Sequence, residues 1–264
     1  MKLVKALIIT GYGINCEEEM AAAYRLNGES AEIVHINRIL SSEVSIHDYH
    51  IINFPGGFSF GDDIASGKVF ANKIAYRRLI TGKTLLEDIQ SFLAEGKYII
   101  GVCNGFQVLV RLGLLPNIAG KFEQEVTLMQ NDSGRFIDNW CTVKANNTAL
   151  PHLAGITEMD LPIRHGEGKL IVRDDFIRNE ILRLKLNCLT YIGNPNGSEL
   201  DCAGLCDPSG QVFGLMPHPE AFLSFYNHPD WNKKKILNPA HSEDGEGMQI
   251  FKNIINEIKI KLIN

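Results

Sequence analysis

The sequence has no apolar run approaching the ~18 residues that a membrane span requires. Its opening, MKLVKALIIT, passes straight into a strand pattern with no small-residue cleavage site, so no membrane segment or secretory leader is expected. Nor is there a block of like charge. Lys and Arg number 26 against 31 Asp and Glu, and the basic residues are scattered; this provides no footprint for nucleic acid or an anionic membrane. Small molecules and proteins are the expected partners. Cysteine is sparse: six in 264 residues (16, 103, 141, 188, 202 and 206) are too few for a disulfide scaffold and suit a reducing, cytoplasmic setting with most thiols filling the core. Cys202 and Cys206 in DCAGLC find no Cys-x-x-Cys or His-x-x-x-His partner elsewhere, so no metal is expected. Repeats, low-complexity tracts and linker-like stretches are missing too, which leaves one domain over residues 1–264.

What is present suits a large core, with 45% hydrophobic and 22% charged residues. The first half alternates short β-branched runs (KALIIT at 5–10, AEIVHI at 31–36, HIINF at 50–54, YIIGV at 98–102) with helical periods. These include CEEEMAAAYRLNG, stopped by Gly28, then VFANKIAYRRLI at 69–80 and TLLEDIQSFLAEG at 84–96. Strands apolar on both faces, separated by helices, predict an α/β fold with a mostly parallel central sheet flanked by helices. The second half reads as added β-hairpins. One spans 126–145 around Asp132–Gly134, another turns at 207–210, and a terminal helix runs over 247–263.

Three stretches carry chemistry. GVCNG places Cys103 between Gly101 and Gly105 where a strand run meets a helical period, the thiol counterpart of the Gly-x-Ser-x-Gly nucleophile elbow. A thiol there meets the unpaired N–H groups and positive dipole end of a helix, which favour thiolate, and the N–H of Asn104 points where an oxyanion would form. The pattern fits a buried structural cysteine equally well. VFGLMPHPE (212–220) ends an apolar strand in His218 and Glu220, which share a side of extended chain, so the carboxylate can hold the imidazole as base and orienter. NFPGGFSFGDD (53–63) opens a strand end into Gly56 and Gly57, where backbone can approach a ligand or simply make a tight loop.

Together these residues resemble the class I (triad) glutamine amidotransferases. Within that family GVCNGFQVL, FPGGFSFGD, NPNGS (194–198), VFGLMPHPE, PIRHGEGK (162–169) and NDSGRF (131–136) are similar to the glutaminase-subunit branch serving phosphoribosylformylglycinamidine synthesis in purine biosynthesis. The likeness runs from about residue 5 to 260, with departures at Asp132, at Ala221-Phe222 and in the opening loop TGYGINCEEE. The resemblance implies a flavodoxin-like fold and a glutaminase (hydrolase) component of a carbon–nitrogen ligase. It assigns Cys103 as nucleophile, His218 as acid and base, and Glu220 as its orienter. Gly57 and Asn104 become oxyanion donors, and Gln107, Ser133 and Phe136 glutamine contacts. His165 and Glu167 lie near a subunit interface or ammonia exit, or only shape a loop. A helical insertion over 77–90 alters the docking surface.

The resemblance also implies partners: an ATP-dependent synthetase subunit, carrying ATP and Mg, and a small third subunit. No cofactor is expected on this chain. TGKT (81–84) ends like a phosphate loop, but Arg77 stands where that motif needs glycine, and GYGINC lacks the third glycine of a dinucleotide fingerprint. The alternatives are a cysteine peptidase or chaperone-like protein of related fold, or an inactive scaffold. The former lack a base delivered as His-x-Glu after the last core strand, and the latter has no need of a full triad.

Overall fold

The computed structural model describes residues 2–62, 64–147, 150–240 and 242–263. Its strands are β1 (Lys5–Thr10), β2 (Ser30–His35), β3 (Ile51–Phe54), β4 (Tyr98–Val102), β5 (Val126–Gln130), β6 (Ile137–Ala145), β7 (Glu158–His165), β8 (Glu167–Val172), β9 (Leu189–Tyr191), β10 (Cys202–Cys206) and β11 (Val212–Leu215). The helices are α1 (Glu17–Arg25), α2 (Ile36–Leu40), α3 (Lys68–Tyr76), α4 (Leu85–Ala94), α5 (Asn104–Arg111), α6 (Asp175–Leu184), α7 (Trp231–Leu237) and α8 (Glu246–Ile258). Among the described residues no helix is long and apolar enough to cross a membrane.

The main sheet runs β2-β1-β3-β4-β11-β10-β9-β6-β7. From β2 to β11 all pairings are parallel, and beyond β11 they are antiparallel. The parallel part has the doubly wound flavodoxin-like order, with its switch point where the chain leaves β1 for β2 on one side and β3 lies on the other. Right-handed crossovers then put α1 on one face and α3, α4 and α5 on the opposite face. The contacts agree: α1 packs on α8, and α3 packs on α4 and α5. Every residue of β3, β4 and β11 is buried, which is why these runs read as continuously apolar rather than alternating.

Two expected elements differ. The stretch 126–145 does not fold back on itself: β5 pairs antiparallel with β8 in a separate ribbon, while β6 pairs with β7 and β9. The turn residues at 132–134 encode a reversal of direction but not the strand that will be the partner, and here the turn hands the chain from one sheet to the other. The helix expected over 69–80 stops at Tyr76. Arg77 is extended, and Leu79 closes a small turn by donating to the Lys83 carbonyl at 2.8 Å, so the 77–90 insertion is helical only from Leu85. The hairpin across 207–210 forms as expected, joining β10 to β11.

The phosphate-loop lookalike is a helix cap. Thr84 accepts from the Glu87 N–H while Glu87 accepts from the Thr84 N–H, a reciprocal capping box opening α4.

Candidate active site

Four chain segments leave the C-terminal edge of the parallel strands, and their ends converge there: 11–16 after β1, 55–62 after β3, Cys103 after β4, and 216–220 after β11. This is where open α/β sheets place ligands.

Cys103 occupies the β4–α5 corner with φ 50° and ψ −106°, a backbone region that L-residues rarely enter. Such strain costs on the order of 1–3 kcal/mol. It is outweighed by the apolar face that follows, since Phe106, Val108, Leu109 and Val110 are each almost fully buried and each such side chain contributes about 1.5–3 kcal/mol. The corner is pinned at both ends: the Cys103 N–H donates to the Leu215 carbonyl at 2.8 Å, and the Cys103 carbonyl accepts from Gln107 N–H at 3.0 Å. Gly105 explains why the corner can be so tight. A Cβ there would lie 1.8 Å from the Phe54 carbonyl oxygen, so the first turn of α5 rests directly on the end of β3. The Cys103 thiol is buried and donates weakly to the Arg164 carbonyl at 3.7 Å.

His218 follows β11 and is tied to β7 by its N–H, which donates to Pro162 carbonyl at 2.8 Å. Its Nδ1 lies 2.7 Å from Oε1 of Glu220, and both side chains are almost wholly buried. Burial opposes charge on the ring, but the Glu220 carboxylate and then the nearby Cys103 and Cys16 sulfurs raise its pKa well above the ordinary 6.5. Nε2 makes no hydrogen bond of regular geometry, although Cys103 lies close enough to influence its charge. Catalytic contacts are commonly loose before substrate arrives.

Gly57 has φ +148°, and a Cβ on it would lie 2.6 Å from the Gly13 carbonyl oxygen and 2.7 Å from Ile14 Cα. The loops 11–16 and 55–60 are zipped together: Phe58 N–H donates to Gly13 carbonyl at 2.8 Å, and Asn15 and Cys16 N–H donate to Gly56 carbonyl at 3.3 Å. In that pairing the Gly57 N–H is not used, and among the described residues neither it nor the Asn104 N–H has a protein acceptor.

Gln107 is buried. Its Nε2 donates to Glu167 carbonyl at 2.5 Å and its Oε1 accepts from Asn104 Nδ2 at 3.1 Å, which leaves one N–H and one lone pair unspent. Phe136 is 52% exposed and stands 6.1 Å, ring to ring, from exposed Phe58 beside Gly57. Ser133 is exposed in the turn after β5, and its hydroxyl accepts from Arg135 N–H at 3.3 Å. Asp63, the last residue of the 53–63 stretch, lies outside the described residues.

His165 is buried near His218. Its Nδ1 lies 3.0 Å from Asn131 Oδ1, and burial together with the charge on His218 pushes its pKa down to about 4, so it is neutral. The Glu167 carboxylate accepts from Ser66 N–H at 3.2 Å. NPNGS acts as a clasp on this region: Asn196 Nδ2 donates to Gly168 carbonyl at 2.9 Å, and Ser198 Oγ accepts from Leu170 N–H at 3.1 Å. Asp132, one of the departures, forms an ion pair with Lys169 in the same ribbon.

Sequence reasoning gave Cys16 no role, counting most of the cysteines as core filler and noting this one only within the departing loop TGYGINCEEE. Its sulfur joins His218 and Glu220 in one cluster, the three ligand-type atoms lying within 4.8 Å of one another. Its place just beyond β1, at the switch point, was the available signal. Cys188, Cys202 and Cys206 are buried thiols donating to backbone carbonyls at 3.5, 3.4 and 3.8 Å.

The model of the CobB/CobQ-like glutamine amidotransferase domain matches residues 3–256. A phosphoribosylformylglycinamidine synthase subunit PurQ of Dehalococcoides mccartyi is 38% identical, over 97% of this chain and 98% of that protein. The subunit PurQ of Methanococcus maripaludis is 36% identical, over 95% of this chain and 96% of its own length. Among solved structures, a chain of PurLQS from Thermotoga maritima superposes with a TM-score of 0.74 at 29% identity, covering 98% of this chain and 100% of that one.

Proposed function

The chain belongs to the glutamine amidotransferase family, and from that premise we propose that it is the glutaminase subunit of a phosphoribosylformylglycinamidine synthase. It hydrolyses glutamine to glutamate and ammonia. The ammonia passes to a synthetase subunit, which uses ATP and Mg to convert formylglycinamide ribonucleotide to formylglycinamidine ribonucleotide in purine biosynthesis. The complex also contains a small third subunit. The observation carrying this reading is full-length likeness to PurQ subunits, joined to a thiol at a strained elbow with a buried His–Glu pair beside it.

The residues suggest the course of reaction. The Cys103 thiolate attacks the side-chain amide carbon of glutamine, and the N–H groups of Gly57 and Asn104 hold the resulting oxyanion. His218 gives its proton to the amide nitrogen as the C–N bond breaks, releasing ammonia and leaving a glutamyl thioester. The neutral imidazole then takes a proton from water. The hydroxide so formed cleaves the thioester, and glutamate leaves as the sulfur recovers its charge. Glu220 keeps the ring in one tautomer throughout. Gln107 and Phe136 border the space for the substrate, with Ser133 further out. We treat residues 1–264 as one amidotransferase unit, and the free thiols support a cytoplasmic setting.

The test uses the complex supplied with ATP and formylglycinamide ribonucleotide. Cys103→Ala and His218→Ala should lose glutamine-driven synthesis by about 10³-fold or more and keep synthesis driven by free ammonia. Loss of both would make these residues structural and remove the reading. A peptidase or an inactive scaffold predicts no glutamine dependence at all.

A further inference from the structure

The catalytic mechanism gives Cys16 no task, yet this thiol sits against the buried His218–Glu220 pair. Gly56 fixes the geometry. A Cβ built on it would lie 2.7 Å from His218 Cε1 and 3.2 Å from Cys16 Sγ, so ring and sulfur meet over a single glycine. Within the cluster of Cys16, His218 and Glu220, one potential ligand atom from each lies within 4.8 Å of the others. One further atom points to an unmet ligand. Glu220 Oε2 is buried without a hydrogen-bond partner, and the His218 and Glu220 side chains are only 4% and 1% exposed. Buried polar atoms in native proteins are normally satisfied, so unsatisfied ones call for an explanation.

We propose that Cys16, His218 and Glu220 form an inhibitory site for a thiophilic divalent cation, with Zn2+ the best match. One sulfur, one imidazole nitrogen and one carboxylate oxygen form a zinc donor set, whereas Mg2+ and Ca2+ take oxygen shells. Three protein ligands leave the fourth tetrahedral position open to water. Ligand atoms about 2.0–2.3 Å from a tetrahedral zinc stand about 3.3–3.7 Å apart, so binding must part His218 Nδ1 from Glu220 Oε1, now 2.7 Å away, in a cluster whose three atoms already lie within 4.8 Å of one another. Binding displaces the thiol proton of Cys16 and the proton shared by His218 and Glu220. A metal shared with Glu220 takes Nδ1, the ring nitrogen facing that carboxylate, and fixes the remaining proton on Nε2, which then cannot accept one, so turnover is inhibited.

The site stands on geometry; only its effect on turnover rests on the functional reading. The test is titration of the full chain with Co2+, followed by Zn2+ competition against a chromogenic chelator. The parent should bind one Co2+ per chain with a thiolate-to-cobalt charge-transfer absorption. That absorption should persist in Cys103→Ser and vanish in Cys16→Ser, with Zn2+ bound at least tenfold more weakly. In Cys16→Ser, Zn2+ inhibition, scaled to that variant's own metal-free glutaminase rate, should weaken in parallel. Absence of the absorption in the parent, or its survival unchanged in Cys16→Ser, overturns the proposal. A chain that binds Co2+ as described but never hydrolyses glutamine keeps the site and sinks the functional reading instead.

Discussion

Oε1 of Glu220 lies 2.7 Å from Nδ1 of His218, two residues apart in the chain and together shielded from water. In that setting the carboxylate does two jobs: it holds Nδ1 by a hydrogen bond, and it raises the ring's pKa against the opposing effect of burial.

Glu220→Gln separates these jobs, because it preserves shape and removes charge. Burial is then opposed only by the Cys103 and Cys16 sulfurs, so the His218 pKa should fall, as read by NMR titration of the imidazole. Glutamine hydrolysis should decline by roughly 10²–10⁴, with folding intact. An unchanged pKa would mean that Glu220 is not the residue charging the ring.

Gly105→Ala tests the elbow. The added methyl would meet the Phe54 carbonyl at 1.8 Å, backbone against which nothing can rotate away. A loss of about 3 kcal/mol or more in urea unfolding is expected, at the upper end of overpacking effects. A variant as stable as the parent would show that α5 does not rest on β3.

His152 lies wholly buried between Tyr98 and Phe213 with neither ring nitrogen hydrogen-bonded, and burial pushes its pKa down to about 3. The unfolded chain protonates first, near 6.5, so this stability is complete above pH 6.5 and is lost as pH falls towards 3. Between pH 7 and 5 the parent should lose about 2 kcal/mol through this residue alone. His152→Leu should remove that part of the slope in urea unfolding at the two pH values, and an unchanged slope would contradict it.

The parts of the site that the sequence makes legible are those encoded locally. Cys103 stands at a strand-to-helix junction between two glycines, and His218 and Glu220 share one short extended stretch. The parallel half of the sheet was legible for the same reason, since β3, β4 and β11 are runs buried on both faces. What stayed hidden depends on partners distant in the chain. Nothing in 126–145 says that β5 will choose β8, nor that Asn131 will hold His165 rather than continue a hairpin. The significance of Cys16 arises only when the loop after β1 closes on the loop after β3 and brings its sulfur to a histidine some two hundred residues further along.

The central claim is that Cys103 is the one thiol made nucleophilic by His218. It is tested most directly by treating the complex with an electrophilic glutamine analogue and locating the adduct by peptide mass spectrometry. The account predicts one adduct, on Cys103, blocked by excess glutamine and formed far more slowly in His218→Ala. An adduct on Cys16 or any other thiol, or labelling of Cys103 at an unaltered rate without His218, would contradict it.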